Sequence, residues 1–563
     1  IPKIFLMDFH QIYKLKRFIS SKIIQRFPVF DKIDNLSSQT RILIAVLLAL
    51  AFFVPYSYFY KPQMNENNAT QATTREMQNV APIQQVDSGK ITQDTARVSN
   101  PNHATLATIE SKNFTYKIDR LGRIAEVALK EKKYQKDSTP LMLFSEDIAN
   151  PSNPKILEIR FSDSLLNQKA FNVPYSANLN TLEIKDKPQS ITLIQELGEV
   201  KIEKVLTFYP NGYYEARIKI PQNYTYFVSP GMRPSVENDS YVFKGVIVKE
   251  SDNTITTIED GDAQGQSNYA NASILAAVDR YYATLIFNKS NNLNVTILGN
   301  PSENPMPFVS AEGELQLKGY IGPKDYRLLE TIDPNLTDVV EYGIITFFAK
   351  PLFLLLDKLY NLCGNWGWAI ILLTLIVRVV LYPLTYKGMV SMQKLKDLAP
   401  KMKELQQKYK GEPQKLQAHM MELYKKHGAN PMGGCLPLLL QMPVFFAIYR
   451  VLFNAIELKG AAWLLWINDL SVMDPYFILP ILMGGTMYLQ QHLTPTAFND
   501  PMQEKIFKFL PLIFTIFFVT FPSGLVLYWF VNNIFSIIQQ LLINKALERK
   551  KAREIAEHKH KDD

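Results

Sequence analysis

Apolar runs separated by lysine-rich segments dominate the second half of the chain, and this alternation restricts the fold more than any other feature. A stretch of about 20 apolar residues with few charges is typical of a transmembrane helix. Two of the runs have only about 15 residues, which cover roughly 23 Å of a hydrocarbon core that is roughly 30 Å thick. The pattern predicts five membrane-spanning helices, at 364–383, 435–456, 475–491, 506–521 and 524–543.

The segment between the first two runs, residues 384–434, carries ten lysines. Lysine-rich loops stay on the cytoplasmic side of a membrane, so we place this segment in the cytoplasm. Apolar residues recur at helical spacing on both sides of Gly411-Glu412-Pro413, which predicts a helical hairpin. The hairpin is either a solvated coiled-coil arm or a docking arm, and its length and charge fit both.

Residues 338–362 form an apolar run that Lys350, Pro351, Asp357 and Lys358 interrupt. The uncharged stretches between them are too short to cross a bilayer, so we expect an amphipathic helix in the membrane interface. If this run spanned the membrane, the lysines of the hairpin would face the outside, against the charge rule.

The first 104 residues divide into three parts. Residues 1–40 are a basic cytoplasmic extension, and residues 61–104, rich in Gln, Asn and Thr, predict a disordered linker. The apolar run 41–60 is typical of a signal peptide or of an uncleaved anchor, and the aromatic residues that follow Ala51 favour the anchor. With the anchor the chain has six spans, and both ends, including the basic tail 546–563, lie in the cytoplasm.

Residues 105–335 alternate apolar and polar positions with a period of two, which is typical of half-buried strands. Leu121-Gly122-Arg123 and Asn211-Gly212 predict turns between such strands. We expect a large, all-β sandwich domain. Because it follows the first span, it lies across the membrane from the basic amino terminus.

Arg378 lies inside the run 364–383, and a charge at the centre of a span costs roughly 2.5–3.5 kcal/mol. One interpretation is snorkelling, because Pro383 at the inner end is only about five residues, or roughly 7 Å, away. The other is a hydrated cavity in the inner leaflet, since polar groups at depth are tolerated where they face water or each other. The cavity would be lined by polar side chains of three spans: Thr374, Gln441, Tyr528, Asn532, Asn533, Ser536, Gln539 and Gln540.

The sequence predicts no catalytic residue, metal site or bound cofactor. Cys363 and Cys435 match no zinc pattern, and they lie near opposite ends of their spans, so no disulfide is expected. The net charge of +8 comes with basic segments beside apolar runs, which indicates membrane topology rather than a nucleic-acid substrate. A solute transporter is the alternative function, but the spans hold no internal carboxylate and show no inverted repeat.

Several motifs support a more specific assignment. They are YIGPKDYRLLE, GNWGWAIILLTLIVRVVLYPLT, NPMGGCLPLLLQMPVFFAIYRVL, DPYFILPILMGGTMYLQQ and DPMQEKIFKFLPLIFTIFFVTFPSGLVLYWFVNN, in this order. Together they resemble the YidC membrane protein insertase family, in its Gram-negative form with a large periplasmic domain. The resemblance implies a multi-pass protein of the bacterial inner membrane, with the β domain in the periplasm.

The resemblance also implies a mechanism and a set of partners. The family has a core of five helices, 364–545 here, around a groove that is open to the cytoplasm and to lipid but closed outside. Arg378 matches the arginine of that groove, and the substrate-contacting positions map to Met442, Tyr528 and Trp529. The implied partners are nascent membrane proteins, lipids and the Sec translocon, with the ribosome and the signal recognition pathway reached through the hairpin and tail.

A third possibility is that the helices only anchor a periplasmic binding domain. Removing residues 105–320 would abolish the function of such an anchor, whereas an insertase would keep most of its activity.

Overall fold

The computed structural model describes residues 104–135, 138–145, 153–236, 242–288, 293–340, 345–427, 436–493 and 501–562. All of them belong to one compact unit, Val86–Asp563. The predicted extension 1–40, the anchor 41–60 and the linker up to residue 103 lie outside the described residues, as do the end of the hairpin segment and Cys435.

The first part of the described chain is built of strands in two sheets. The strands are β1 Thr105–Ser111, β2 Phe114–Asp119, β3 Ile124–Leu129, β4 Leu141–Phe144, β5 Ile159–Phe161, β6 Ser176–Ala177, β7 Thr181–Ile184, β8 Gln189–Glu196, β9 Lys201–Phe208, β10 Tyr213–Lys219, β11 Thr225–Val228, β12 Gly245–Glu250, β13 Ile255–Glu259, β14 Gln266–Val278, β15 Tyr282–Phe287, β16 Leu293–Gly299, β17 Pro305–Glu312 and β18 Glu314–Pro323. One sheet has the order β4-β3-β2-β1-β7, in which β1 and β7 are parallel. The other has the order β5-β11-β17-β16-β14-β15-β18-β10-β9-β8-β6, with β12 paired to β14 and β13 to β12. Both sheets contribute to one apolar core, which confirms the predicted β-sandwich.

The period-two pattern of the sequence corresponds to burial in the sandwich. In β9, Ile202, Leu206 and Phe208 point into the core, and each such side chain contributes about 1.5–3 kcal/mol of burial free energy. Lys204 occupies an inward position of the same strand, where its Nζ donates to the carbonyl oxygens of Gly122 and Leu157, at 3.0 and 2.9 Å. The alternation therefore locates the core, although one inward position holds a lysine.

The remaining described elements are mostly helices. They are α1 Ser164–Asn172, within the β domain, then α2 Tyr326–Ile332, α3 Thr346–Cys363, α4 Trp366–Lys408, α5 Pro413–Lys426, α6 Leu436–Asn454, α7 Ile478–Leu493, α8 Pro501–Phe518 and α9 Ser523–Asp562. A second apolar core joins α3, α4, α6, α7, α8 and α9. Within it, α9 packs on α4 and α7, while α6 packs mainly on α3.

The helix α4 is longer than the span predicted at 364–383. It continues through Pro383 to Lys408 over 43 residues, so the span and the first arm of the hairpin are one helix of roughly 64 Å. A proline removes one backbone donor, and the helix-forming residues after it keep the remaining ladder intact. Similarly, α9 continues without a break from the last predicted span into the basic tail.

Two helices of the described chain are long and apolar enough to cross a bilayer. The qualifying stretches are Trp366–Pro383 in α4 and Ser523–Arg549 in α9, and a shorter apolar stretch is Phe507–Phe518 in α8. The helical region is thus confirmed, whereas the count of six spans and the interfacial position of 338–362 stay predictions.

The predicted hairpin is formed by the end of α4 and by α5. Gly411 turns the chain with a φ of +99°, a left-handed conformation that favours glycine. A small apolar cluster joins the arms, with Leu398, Met402 and Tyr424 at its centre and Leu395, Met420 and Leu423 around it. Only a few apolar residues therefore hold the two arms of the hairpin together.

Candidate functional site

The guanidinium of Arg378 on α4 forms hydrogen bonds to α9. Its Nε donates to Oδ1 of Asn532 at 2.8 Å, and its Nη2 donates to the Asn532 carbonyl oxygen at 3.2 Å and to the Ser536 hydroxyl. Asn532 and Ser536 lie one turn apart on α9, so they present their oxygens on the same face. The structure therefore brings together the arginine and two of the polar residues predicted to surround it.

All of these partners are uncharged. Among the described residues Arg378 forms no ion pair, and its acceptors are an amide, a backbone carbonyl and a hydroxyl. Neutral acceptors orient a guanidinium but leave its net charge in place. The site therefore presents a fixed, partly buried positive charge between α4 and α9.

Three other polar residues predicted to line the cavity, Thr374, Asn533 and Gln540, bond elsewhere. Thr374 is fully buried and donates its hydroxyl to the Ile370 carbonyl of its own helix at 2.7 Å. Asn533 faces α7, where its Nδ2 lies 3.4 Å from both the Met483 carbonyl and the Thr486 hydroxyl. Gln540 donates to the Leu493 carbonyl at 2.9 Å. Cavity-lining roles for Thr374 and Asn533 stay predictions, since Thr374 bonds within α4 and Asn533 bonds to α7.

The predicted substrate-contacting positions lie in two environments. Met442 on α6 is 40% exposed, and the neighbouring Gln441 is half-buried. By contrast, Tyr528 is buried and stacks on Phe445, and the Trp529 ring lies 4.6 Å from the rings of both Phe445 and Phe518. An aromatic cluster thus fills the space between α6, α8 and α9, one turn before the Asn532 position.

Sequence reasoning missed the members of this cluster on α6 and α8. Phe445 and Phe518 were assigned simply to apolar spans, because aromatic residues in an apolar run carry no separate signal. It also missed the close contact between α7 and α8 at Gly484, where a Cβ atom would lie 1.9 Å from the Thr515 hydroxyl. The two adjacent glycines in the motif MGGT were the available signal for that approach.

The segment between α6 and α7 closes one end of the helical region. The start of α9 bonds to this segment: Ser523 donates its N–H to Val472 at 2.7 Å, and Gly524 donates to Leu470 at 2.9 Å. The fully buried Asp474 accepts from the N–H groups of Tyr476 and Leu479, at 3.0 and 2.7 Å. These bonds satisfy several of the backbone N–H groups that have no partner within the first turns of α7 and α9.

The start of α4 is closed by the same segment. Asn365 caps this helix through the N–H groups of Gly367 and Trp368 and also donates to the Ala462 carbonyl at 2.9 Å. A Cβ atom on Gly367 would lie only 2.1 Å from Trp463, so the missing side chain makes room for that ring. The GNWGW motif therefore holds the segment over the end of the bundle.

A β-sandwich attached to a region of apolar helices, two of them long enough to cross a bilayer, is typical of a membrane protein with a large domain outside the bilayer, and two family models match this arrangement. A family model described as "60Kd inner membrane protein" matches residues 358–551, and one described as "YidC periplasmic domain" matches residues 106–355. The chain belongs to the YidC family of membrane protein insertases.

Full-length relatives carry the same description. "Membrane protein insertase YidC" of Wolinella succinogenes is 59% identical to this chain, over 93% of this chain and 98% of its own length. The proteins so described from Helicobacter pylori and Campylobacter jejuni are 52% and 51% identical, over 92% and 91% of this chain and 98% and 97% of theirs. A solved structure described as an active YidC insertase with the first transmembrane domain resolved is 19% identical, covers 76% of this chain and 90% of its own, and has a TM-score of 0.35. The solute-transport alternative receives no support from these relatives.

Proposed function

We propose that this chain inserts membrane proteins by using the charge of Arg378 to attract the polar flank of a substrate helix into a groove between α4, α6 and α9. The observation that carries the proposal is that, among the described residues, Arg378 is held by neutral acceptors alone. At 4 Å and an effective dielectric of 20, a unit charge pair is worth about 4 kcal/mol. An acidic residue in the translocated segment therefore gains from entering the groove.

A polar substrate flank otherwise has to cross hydrocarbon. Each unpaired backbone group costs several kcal/mol there, so a polar site within one leaflet shortens the unfavourable path. The aromatic cluster and the segment over the helix ends lie beyond the Arg378 site, and they support a groove that is closed on the outer side.

The apolar part of the substrate then leaves along exposed apolar side chains. Met442 on α6 offers one such surface, and α8 exposes Phe509, Leu512, Ile513 and Ile516. Transfer of a substrate helix into lipid is driven by burial of its apolar surface, so release needs no nucleotide.

The topology and the wider partners form part of the same proposal. Six spans place both chain ends and the hairpin 384–434 in the cytoplasm and the β domain in the periplasm, in agreement with the lysine distribution. The hairpin and the basic tail are then available to the ribosome and the signal recognition pathway. The Sec translocon is proposed as a partner on the resemblance of the β domain and core to the family.

The test compares Arg378→Ala with Arg378→Lys in cells depleted of the native insertase. We expect Arg378→Ala to lower insertion of a substrate with an acidic translocated segment by about tenfold, which corresponds to about 1.4 kcal/mol of lost attraction. Arg378→Lys should retain most of the activity, because it keeps the charge but not the guanidinium geometry.

Two controls make the result specific. A matched substrate whose translocated acidic residues are changed to amides should insert equally well with each variant. Arg217→Ala, at an exposed position of β10, should behave as the unaltered protein does. Normal insertion of the acidic substrate by Arg378→Ala would refute the proposed role of the charge.

A further inference from the structure

Two helix caps join the β domain to the end of α6. In one, a residue of the β domain caps α6; in the other, a residue that follows α6 caps α2. The first cap comes from the turn between β14 and β15, where Nε of Arg280 donates to the Phe453 carbonyl oxygen at 2.9 Å. Carbonyl groups in the last turn of a helix lack intrahelical donors, and a cation there also interacts favourably with the helix dipole. The β domain thus supplies the carboxyl-terminal cap of α6.

The orientation of Arg280 is fixed by its surroundings. Its guanidinium carbon lies 3.9 Å from the centre of the Phe453 ring and 4.4 Å from that of Tyr281. The turn itself is held by Asp279, whose Oδ1 accepts from the N–H groups of Tyr281 and Tyr282, at 2.9 and 2.8 Å. A buried arginine on a turn of this kind has little freedom to move away from the helix end.

In the second cap, a residue that follows α6 in the helical region caps the start of α2, which follows the β domain. The 3-10 turn Ile456–Leu458 follows α6, and Oε1 of Glu457 accepts from the Tyr326 N–H, the first of α2, at 3.0 Å. The preceding residue, Ile456, is only 1% exposed because it packs within the core of the β-sandwich. The two regions therefore share backbone caps and one apolar core residue.

The neighbouring helix α3 is fastened to the same domain by charges. Asp338 accepts from Lys249 on β12 and from Lys350 on α3, each at 2.7 Å. Arg327 on α2 pairs with Asp357 on α3, with Nε 2.7 Å from Oδ1. Because α3 is the main packing partner of α6, these pairs secure both helices to the β domain.

We propose that Arg280 and Glu457 are positioning residues that fix α6, and with it Met442, relative to α9 and Trp529, and so set the width of the substrate groove. This inference rests on the proposed function of that groove. Met442 lies 11 residues, or roughly 17 Å, from Phe453 along α6, so a tilt of about 10° at the Phe453 end moves it by about 3 Å. A cap at the junction thus controls the position of Met442.

The test measures the distance between α6 and α9 directly. Spin labels replace Met442 and the exposed Ile538 in the full chain, with both native cysteines changed to serine, and pulsed electron resonance gives the distance distribution. Arg280→Ala is expected to broaden this distribution by about 3 Å. A second pair, Leu375 on α4 and Ile538, serves as the reference and should stay unchanged in every variant.

Three further measurements separate positioning from a general loss of structure. Arg280→Lys keeps a cationic donor and should restore the narrow distribution, while Arg217→Ala should never disturb it. Hydrogen exchange of β14 and β15 should be unchanged in Arg280→Ala, which shows that the domain remains folded. Insertion by the unlabelled Arg280→Ala should fall by less than about twofold, because the change in geometry lies away from the bound substrate.

An unchanged α6–α9 distribution in Arg280→Ala would overturn the inference, and so would a broad distribution accompanied by normal insertion. Both results are distinct from a failure of the groove itself, which is read from Arg378→Ala with the acidic substrate.

Discussion

Two arginines, one in the β domain and one in the helical region, are both partly buried and both use several guanidinium nitrogens, but their partners differ in charge. Arg123 donates from Nε to Asp119 at 2.9 Å and pairs through Nη1 with Glu158 at 3.0 Å. Within the part of the chain that the structure describes, Arg378 bonds only to the neutral oxygens of Asn532 and Ser536. The charge of Arg123 is therefore neutralised within the protein, whereas that of Arg378 is oriented and retained.

This difference separates a structural cation from a functional one. Carboxylates beside a guanidinium compensate its desolvation, and for Arg123 the two acidic neighbours outweigh burial, so the pKa of its guanidinium is raised. A second binding partner then gains little from approaching it. An arginine without a carboxylate keeps most of its attraction for an acidic ligand, at the cost of leaving a charge in an apolar region.

The largest effect we expect is on stability, when each arginine is replaced by methionine. Arg123→Met removes the cation that Asp119 and Glu158 share. Arg160 still pairs with Glu158 at 2.8 Å and Lys155 with Asp119 at 3.6 Å, so the loss should be about 2 kcal/mol. Arg378→Met releases neutral acceptors only and should cost about 1 kcal/mol. Hydrogen exchange of β2 in the first variant and of α4 in the second measures the local free energy of opening. Equal losses in both would remove the distinction between the two sites.

The sequence alone identified Arg378 as a candidate site residue, but it gave no signal for the ion pairs of Arg123. Arg378 interrupts an apolar run, so its presence alone raised the question of a site. Arg123 follows a predicted turn in a polar, alternating segment, where a charged residue is ordinary. Its partner Glu158 is 35 positions away, and no local pattern reports such a pairing.

A similar limit applied to the charges of α3. Lys350 and Asp357 divided its apolar run and led to the prediction of an interfacial helix. In the structure they pair with Asp338 and Arg327, which join α3 to the β domain. Periodicity thus predicted the strands and helices well, but not the contacts between distant segments, because these depend on how the finished elements pack.

Glu457, at the junction between α6 and the β domain, is a third buried ionisable residue. Unlike Arg123, it has a neighbour of the same charge sign, Asp325. Burial, and then the nearby Asp325, raise the pKa of Glu457 to about 7, while Lys133 lowers it less. A raised pKa means that the docked state binds the proton more tightly than the undocked one. The stabilisation that protonated Glu457 contributes to docking is therefore fully present below the ordinary glutamate pKa of 4.5 and is lost as the pH rises through about 7.

The measurement is the protection of the α2 amides against hydrogen exchange at pH 5 and pH 8. Protection should fall about tenfold between these pH values in the unaltered chain. Glu457→Gln keeps an acceptor for the Tyr326 N–H but carries no charge, so its protection should be the same at both. A pH dependence that persists in Glu457→Gln would assign the effect to another group.

A smaller effect, on insertion rather than on stability, is expected when Arg378 receives a carboxylate partner like those of Arg123. Asn532→Asp is nearly isosteric and places a carboxylate where the amide oxygen now lies 2.8 Å from Arg378 Nε. The new pair should leave the helical region at least as stable, because a guanidinium that lacked a counter-charge gains one. Insertion of the acidic substrate should nevertheless fall about fivefold, since the attraction is then used within the protein.

Asn532→Ala separates loss of the amide from neutralisation of the charge. It removes one acceptor without adding a negative group, so it should reduce insertion of the acidic substrate by about twofold only. The amide-substituted substrate should not distinguish Asn532→Asp from Asn532→Ala. If Asn532→Asp inserts the acidic substrate as well as Asn532→Ala does, the free charge of Arg378 is not what the substrate recognises, and both arginines would have to be regarded as structural.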